Sequence, residues 1–358
     1  MGLGAWAARR VDSIFACLLF RGTYTLWKCT GAIFLLAERL GTAMDNAKVT
    51  TRLDGGLGNQ MFQYAVGRCL SLRHNAPLYM DIGVYRSYTS RQYSLGVFNV
   101  AAETVPLRDP PSLLESLPLQ KAGRRLGNLA RRLPSFASSA ISGLVARKNV
   151  AMLEANATQG FGLPRREKQQ FEFDQGILEI APPVYLVGFW QNEQYFAACQ
   201  NAIREDFTLR LPASPKAENY RSLIMRQPCA SLHIRRGDYV RGSASTRLNV
   251  CGLDYYNNAL QLLRSIVPEV HIFAFSDEIA WAKEHLKFER IVFVEGCTDY
   301  EEMFLMSCCG HNIIANSSFS WWGAWLNPNK DKVVVAPRQW VNADIGGRTP
   351  VPASWVRI

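Results

Sequence analysis

The second half of the sequence alternates short apolar segments with longer amphipathic ones, and this alternation constrains the fold more than any other feature. The apolar segments have the length of buried strands, and the segments between them have helical periodicity. The predicted strands are 230–235, 271–276, 290–295, 311–315 and 332–337, and the predicted helices are 255–265, 278–286, 300–308 and 319–326. Because strands that alternate with helices form a parallel, doubly wound sheet, the fold class is predicted to be α/β.

Polar residues collect at the predicted carboxyl ends of these strands, which is where open parallel sheets bind ligands. They are Arg235, Arg236 and Asp238 after the first strand, Asp277 after the second, and Asn316, Ser317 and Ser318 after the fourth. Neighbouring residues on an extended segment point to opposite faces, so one arginine is expected to face a ligand and the other to hold the loop. A guanidinium and a helix start capped by serines both favour phosphate. The sequence thus predicts a diphosphate site, with a structural ion pair at the strand end as the alternative.

Three tryptophans follow the serines: Trp321, Trp322 and Trp325 lie on one face of the predicted helix. We expect them to pack in the core rather than to stack on a ligand.

The first organised segment of the chain has a glycine-rich turn between a strand and a helix. A short strand begins at Val49, the turn spans 54–60, and a helix with one apolar face precedes a second strand at 78–85. Gly56 and Gly58 match the first two glycines of the dinucleotide fingerprint, but Met61 occupies the third position, which disfavours a nicotinamide site. The backbone amides here, with Asn59 and Gln60, are candidates for a ligand cleft, and a tight turn that needs glycine is the alternative.

Composition narrows the class of protein. A chain of 358 residues with 48% hydrophobic residues predicts two domains with real cores, and the net charge of +10 favours anionic partners. No nucleic-acid-binding motif supports a nucleic-acid partner. Nine cysteines without a CxxC pair and five scattered histidines predict reduced core cysteines of an intracellular enzyme and no metal site.

Two segments differ in composition from the rest of the chain. Residues 1–43 are predicted to be an interfacial or disordered extension, because charges interrupt every apolar run before the roughly 18 residues that a membrane span needs. A basic, leucine-containing stretch at 120–150 has the pattern of a helix that rests on anionic lipid or simply faces solvent. With a linker at 209–215, the predicted domains are 44–215 and 216–358.

Five stretches together carry a resemblance to a known family. They are GGLGNQMFQYA at 55–65, GFWQNEQYF at 188–196, LHIRRGDY at 232–239, LDYY at 253–256 and LMSCCGHNIIANSSFSWWGAWLNP at 305–328. In this order the sequence resembles the alpha-1,2-fucosyltransferase family from about residue 52 to 342. The resemblance implies a GT-B type fold, in which two Rossmann-like domains with parallel sheets face a central cleft, and inverting transfer from GDP-fucose without a metal cofactor. The absence of a DxD motif from the sequence agrees with metal independence.

The resemblance also implies roles for individual residues. Arg235 would stabilise the departing GDP, with Asp238 as its orienting partner or as the general base, and Glu193 as the other candidate for the base. The residues implied to bind substrate are His233, Arg236, Glu302, Asn316, Ser317, Ser318, Gly56, Asn59 and Gln60, of which Glu302 stands where the family usually has an aspartate that is expected to bind guanine. The last three would come from the first domain and face the fucose and the acceptor.

The implied reaction is transfer of L-fucose from GDP-fucose to the 2-hydroxyl of a galactose-like residue, in surface glycan synthesis. The alternatives are protein O-fucosylation and a nucleotide-sugar or glycan-binding protein without catalysis. A cytoplasmic location is expected, with peripheral contact at the inner membrane face if 1–43 or 120–150 binds lipid. A Golgi membrane enzyme is the alternative in a eukaryote.

Overall fold

Two parallel β-sheets, one from each half of the chain, form the framework of the protein. The structure is a computed structural model that describes residues 47–88, 91–107, 162–241, 245–248 and 250–358. The predicted extension at 1–43 and the basic stretch at 120–150 lie outside the described residues. The predicted α/β fold class with two parallel sheets is confirmed.

The first sheet has five strands in the order β3-β2-β1-β5-β4, and all its pairs are parallel. The strands are β1 (Val49–Arg52), β2 (Leu78–Asp81), β3 (Glu103–Val105), β4 (Leu163–Arg166) and β5 (Val184–Val187). The helices of this half are α1 (Leu57–His74), α2 (Gln175–Leu178) and α3 (Gln200–Asp206), with 3-10 helices at Gly83–Arg86, Leu95–Val97 and Glu193–Cys199.

The second sheet has six strands in the order β11-β10-β9-β6-β7-β8, again all parallel. They are β6 (Cys229–Ile234), β7 (His271–Ser276), β8 (Ile291–Phe293), β9 (His311–Ile313), β10 (Val334–Ala336) and β11 (Val356–Arg357). The helices are α4 (Pro215–Ile224), α5 (Gly237–Arg241), α6 (Ser245–Leu248), α7 (Leu253–Ile266), α8 (Ile279–His285), α9 (Asp299–Cys308) and α10 (Ser318–Leu326). The five predicted strands are confirmed as β6 to β10.

Local chemistry explains where several elements begin and end. All six residues of β6 are buried, as expected for a central parallel strand. A capping box of Thr298 and Glu301 starts α9. The strand predicted at 78–85 ends instead at Asp81, whose Oδ1 accepts hydrogen bonds from the amides of Gly83 and Leu107 and so turns the chain.

The predicted linker at 209–215 is partly structured. Leu209 forms an antiparallel bridge with Phe98, and Ser214 caps α4 by accepting a hydrogen bond from the Ala217 amide. The segment lies between β5 and β6, and the exact domain division at 215–216 stays a prediction.

An aromatic cluster joins the two halves. Trp321 and Trp322 of α10 are fully buried, and Phe62 of α1 lies 4.5 Å and 4.9 Å from their ring centroids. Phe196 stacks on Trp322 at 5.4 Å, and Trp322 Nε1 donates a hydrogen bond of 3.0 Å to the carbonyl oxygen of Gly58. The prediction that these tryptophans pack in the core is confirmed, and their core is shared between the halves.

Within the described ranges, no helix combines the length and the apolar character that crossing a membrane requires. The seven cysteines in these ranges are free thiols.

Candidate functional site

The amino ends of two helices, one from each half, meet at the carboxyl edges of the two sheets. A Cβ atom at Gly58, in the first turn of α1, would lie 2.5 Å from the backbone nitrogen of Phe319 in the first turn of α10, so only glycine permits this approach. Neither first turn contains an acidic residue. First-turn amides have no partner within their helix, and the helix dipoles add partial positive charge. Each helix amino end therefore favours an anion beside this contact.

Side chains also bridge this junction. Asn59 Oδ1 accepts hydrogen bonds from Ser318 Oγ at 2.7 Å and from Gln191 Nε2 at 2.8 Å. Ser317 occupies the N-cap position of α10, but within the described residues its hydroxyl makes no capping bond, contrary to the expectation that both serines cap the helix. The hydroxyl of Ser318 instead bonds α10 to Asn59. Ser318 and Asn59, both predicted to bind substrate, therefore hold the two halves together.

Arg235 follows β6 and is held by two carboxylates. Its Nη2 lies 2.6 Å from Asp238 Oδ1, and its Nη1 lies 3.3 Å from Asp277 Oδ2. The guanidinium carbon is 5.4 Å from the ring centroid of Tyr239. With 21% of its side chain exposed, Arg235 is oriented by the protein and still accessible to a ligand.

Arg236 has a different environment. Its guanidinium stacks on Trp281 at 3.7 Å and bonds to Glu278 at 3.1 Å, and Glu278 also pairs with Arg241. The backbone amide of Arg236 donates to Asp277 Oδ1 at 2.9 Å. Through these contacts Arg236 holds the loop after β6 in place, whereas the family resemblance implied that it binds substrate.

Asp238 connects the two halves through an arginine that the sequence analysis missed. Arg91 lies between the 3-10 helices Gly83–Arg86 and Leu95–Val97, and its Nη2 is 3.0 Å from Asp238 Oδ2. A Cβ atom at Gly56 would lie 3.6 Å from Arg91 Nη1, so the guanidinium lies over the glycine turn. No motif or periodicity marks Arg91 in the sequence.

His233 and Asn316 lie beneath the site. Burial, and secondarily the charge of Arg235, lowers the pKa of His233 to about 3, so the imidazole is neutral. Its Nδ1 has no hydrogen-bond partner among the residues that the structure describes, and its ring lies 5.4 Å from that of Phe319. The amide of Asn316 donates to the carbonyl oxygens of Leu248 and Trp340, so Asn316 holds loops in place.

Gln60 is also a supporting residue, whereas the sequence analysis placed it facing the substrate. The side chain is fully buried, and its Nε2 donates to the carbonyl oxygens of Gly55 and Gln92. Its Oε1 accepts from the Ser94 amide at 2.8 Å. Gln60 therefore fastens the segment that carries Arg91 to the glycine turn.

Glu302 lies in the first turn of α9, close to the group that orients Arg235. Burial, followed by the charges of Asp299 and Asp277, raises the pKa of Glu302 to about 8. A buried carboxyl group with such a perturbed pKa is a candidate for ligand binding.

Glu193, the alternative candidate for a general base, contacts the last turn of α10. Burial raises its pKa, while a hydrogen bond from Trp325 and the charge of Lys332 oppose that shift. Trp325 is in the last turn of α10, and seven residues of α-helix separate it from Ser318 by about 10 Å. The 3-10 helix at Glu193–Cys199 also packs on α10 through Phe196 and Trp325, so Glu193 faces the last turn of α10.

Among the residues described, no three side chains of the types that ligate metals form a cluster.

Comparisons with known proteins identify the family of the chain. The model of the glycosyl transferase family 11 matches residues 172–356, slightly more than half of the chain. An Escherichia coli protein named alpha-1,2-colitosyltransferase is 32% identical over 87% of this chain and 98% of its own length. The E. coli O-antigen biosynthesis glycosyltransferase WbnK is 29% identical over 86% of this chain and 99% of its own length.

Among solved structures, the fucosyltransferase NodZ from Bradyrhizobium aligns with 78% of this chain and 92% of its own, at 13% identity and a TM-score of 0.40. The family model and the two E. coli relatives confirm the resemblance found in the sequence, and the chain belongs to the glycosyl transferase family 11.

Proposed function

We propose that the protein transfers L-fucose from GDP-β-L-fucose to the 2-hydroxyl of a galactose-like residue, with inversion and without a metal. The observation that carries this proposal is the convergence of Arg235 with the amino ends of α1 and α10. This arrangement supplies oriented cationic charge for a diphosphate from protein groups alone. Family membership supports a glycosyl transfer reaction.

In the proposed reaction the bond between the sugar C1 and the β-phosphate oxygen breaks as the acceptor oxygen attacks the opposite face of C1. Negative charge develops on the departing GDP, where Arg235 and the first-turn amides of α10 stabilise it. The neutral His233 and Asn316 keep this end of the second sheet in shape, and Glu302 accepts hydrogen bonds from guanine. The acceptor hydroxyl proton passes to a base as the new bond forms.

Asp238 is the proposed base because Glu193 lies near the other end of α10. In the described structure both Asp238 oxygens contact guanidiniums, one from each half. Accepting a proton therefore requires that at least one of these ion pairs opens during the cycle.

A second donor deserves the same test, because one relative is named for transfer of colitose. Colitose is fucose without the 3-hydroxyl group. A site that hydrogen-bonds the 3-hydroxyl of fucose would reject the deoxy sugar strongly, whereas an apolar site would discriminate weakly. The ratio of kcat/KM for the two GDP-sugars therefore decides which sugar the site recognises.

We place the reaction in bacterial surface polysaccharide synthesis, at the cytoplasmic face of the membrane. The relative named for O-antigen biosynthesis supports this setting. The acceptor partner is then a galactoside-terminated glycan.

The deciding experiment measures GDP release from GDP-fucose in excess EDTA, with and without lactose or N-acetyllactosamine, for the wild type and Arg235→Ala. We expect release that the acceptor stimulates, that survives EDTA and that is lost in the variant. Transfer only to a folded protein acceptor would favour protein O-fucosylation. Tight GDP binding, with no GDP released from GDP-fucose whichever acceptor is added, would favour a binding protein. Loss of release in EDTA would contradict the metal-free mechanism.

A further inference from the structure

One exposed carboxylate is held between two guanidiniums that come from different halves of the molecule. Arg235 Nη2 lies 2.6 Å from Asp238 Oδ1, and Arg91 Nη2 lies 3.0 Å from Asp238 Oδ2. The two oxygens of a single anion thus set the spacing of two cations that come from different halves. A phosphate group also presents neighbouring oxygens to two guanidiniums, with more charge and more acceptor positions than a carboxylate.

The two acids that contact Arg235 differ in how firmly they are held. Asp277 is 25% exposed, accepts from the Arg236 amide, and fits closely against Gly237, where a Cβ atom would lie 2.7 Å from its Oδ2. Asp238 is 47% exposed and lies on the short helix α5. Since exposed ion pairs contribute little to stability, Asp238 is the partner that an incoming anion can replace while Asp277 keeps Arg235 oriented.

Arg91 is positioned before any ligand arrives. The buried amide of Gln60 bonds to Gln92 and Ser94 on the same segment, and the Arg91 guanidinium lies over Gly56. The amino end of α1 begins directly after that glycine. Arg91 therefore adds a full positive charge to the half of the cleft that otherwise offers backbone amides.

We propose that Arg91 is a second ligand of the donor diphosphate, and that the diphosphate takes the place of the Asp238 carboxylate between Arg91 and Arg235. This inference rests on the proposed function, since it names how the same site holds a nucleoside diphosphate sugar. The exchange releases Asp238 from both cations beside the bound donor. A carboxylate in that position is then available for the proton of the acceptor hydroxyl.

Calorimetric titration of the full chain with GDP, inorganic pyrophosphate and guanosine tests the exchange. Arg91→Ala is expected to weaken binding of GDP and of pyrophosphate about 10-fold or more, the effect of one charge-assisted hydrogen bond, and to leave guanosine unaffected. Arg73→Ala is the matched control, because Arg73 is an exposed arginine in the last turn of α1, about 24 Å along the helix from its first residue. It should bind all three probes as the wild type does.

Asp238→Asn distinguishes replacement of the Asp238 carboxylate by the diphosphate from a role in which Asp238 only orients Arg235. Removing the charge of the internal competitor is expected to tighten GDP binding about 3-fold or more while turnover falls, a split that a purely structural role for Asp238 would not produce. Arg91→Lys keeps the charge without the planar fork and is expected to bind GDP with intermediate affinity.

Three outcomes would overturn the inference. One is unchanged binding of both anions by Arg91→Ala, and another is weaker GDP binding by Asp238→Asn, which would mean that Asp238 is needed to hold Arg235. The third is a loss of guanosine binding in Arg91→Ala equal to the loss for GDP, which would mean that Arg91 supports the nucleoside site and not the diphosphate. If the wild type binds pyrophosphate but not GDP, the proposed function fails, while the pyrophosphate titrations still decide the role of Arg91.

Discussion

Two adjacent arginines after β6 show how strongly the surroundings of a single residue determine its task. Arg235 is oriented by Asp238 and Asp277 and remains partly exposed, whereas Arg236 is stacked on Trp281 and bonded to Glu278. The sequence predicts that the two side chains point to opposite faces. It does not predict the contacts of these side chains with the segment that follows β7, which contains Asp277, Glu278 and Trp281.

Replacing each arginine by lysine separates the two tasks. Arg235→Lys is expected to lower kcat by about 10²–10³-fold, because a developing charge loses an oriented donor, with little change in Tm. Arg236→Lys is expected to lower Tm by about 2–4 °C, because it loses the planar stack on Trp281, and to reduce kcat less. Steady-state kinetics and thermal unfolding measure both effects. The reverse pattern would mean that Arg236 is the arginine that faces the donor.

The raised pKa of Glu302 predicts that GDP affinity depends on pH. Because only the ionised carboxylate accepts both the ring N–H and the exocyclic amine of guanine, and its pKa is about 8, GDP affinity should rise between pH 7 and 8.5. The expected increase is about 5- to 10-fold, measured by calorimetry. Glu302→Gln should show only the titration of the nucleotide itself, so the difference between the two proteins is the informative quantity. Parallel pH profiles for the two proteins would remove Glu302 from the guanine site.

The same carboxyl group affects stability in the opposite direction. The unfolded chain releases this proton near the ordinary glutamate pKa of 4.5, whereas the folded protein keeps it until about pH 8. The unfolded state therefore binds fewer protons in this window, and its contribution makes the free energy of unfolding decrease as the pH rises. Glu302→Gln should remove that decrease in urea unfolding experiments.

At the scale of secondary-structure elements, the contact between the amino ends of α1 and α10 positions the candidate site. It depends on the absence of a side chain at Gly58, since a Cβ atom there would lie 2.5 Å from the backbone of α10. Asn59 and Ser318 are bonded across the same contact.

Gly58→Ala should push the two helices apart. We expect a loss of about 1–3 kcal/mol in the free energy of unfolding, as for other overpacked sites, together with weaker GDP binding. Urea unfolding and calorimetry measure the two effects. Gly96→Ala is the control, because its Cβ atom would approach only the Tyr93 ring, at 3.4 Å. Wild-type GDP affinity in Gly58→Ala would show that the site does not depend on this spacing.

The elements of the second half could be predicted because their signals are local. Each strand from β6 to β10 is a short apolar run between segments with helical periodicity. The positions of the polar residues at the carboxyl ends of β6 and β9 follow from this order of elements. The pairing of Arg91 with Asp238 spans 147 positions and has no local signal. The locations of Glu193 and Gln60 likewise depend on how α10 and the segment 91–94 pack, which periodicity does not encode.

At the scale of the whole molecule, the two sheets share one hydrophobic core. Residues from both halves belong to a continuous buried cluster, and Trp322 contacts Phe62, Phe196 and Phe207 from the first half. A second cluster, around Leu260 and Leu263, belongs to the second half alone.

This shared core predicts cooperative unfolding. In urea, far-UV circular dichroism and tryptophan fluorescence should report a single coincident transition for the wild type. Trp322→Ala is expected to cost about 3–5 kcal/mol and to make the transitions seen by the two probes separate, because it removes a side chain that contacts three aromatic rings of the first half. Leu263→Ala should destabilise the protein while the probes stay coincident. Separate transitions in the wild type would show that the halves fold independently.

The close fit of Gly58 against the backbone at Ser318 and Phe319 also limits how the protein can be recombined. A chimera that takes its first half from one relative and its second half from another inherits the two sides of this contact from different parents. Exchange of acceptor specificity by domain grafting should therefore succeed only when the glycine turn, the segment around Arg91 and the first turn of α10 are transplanted as a set.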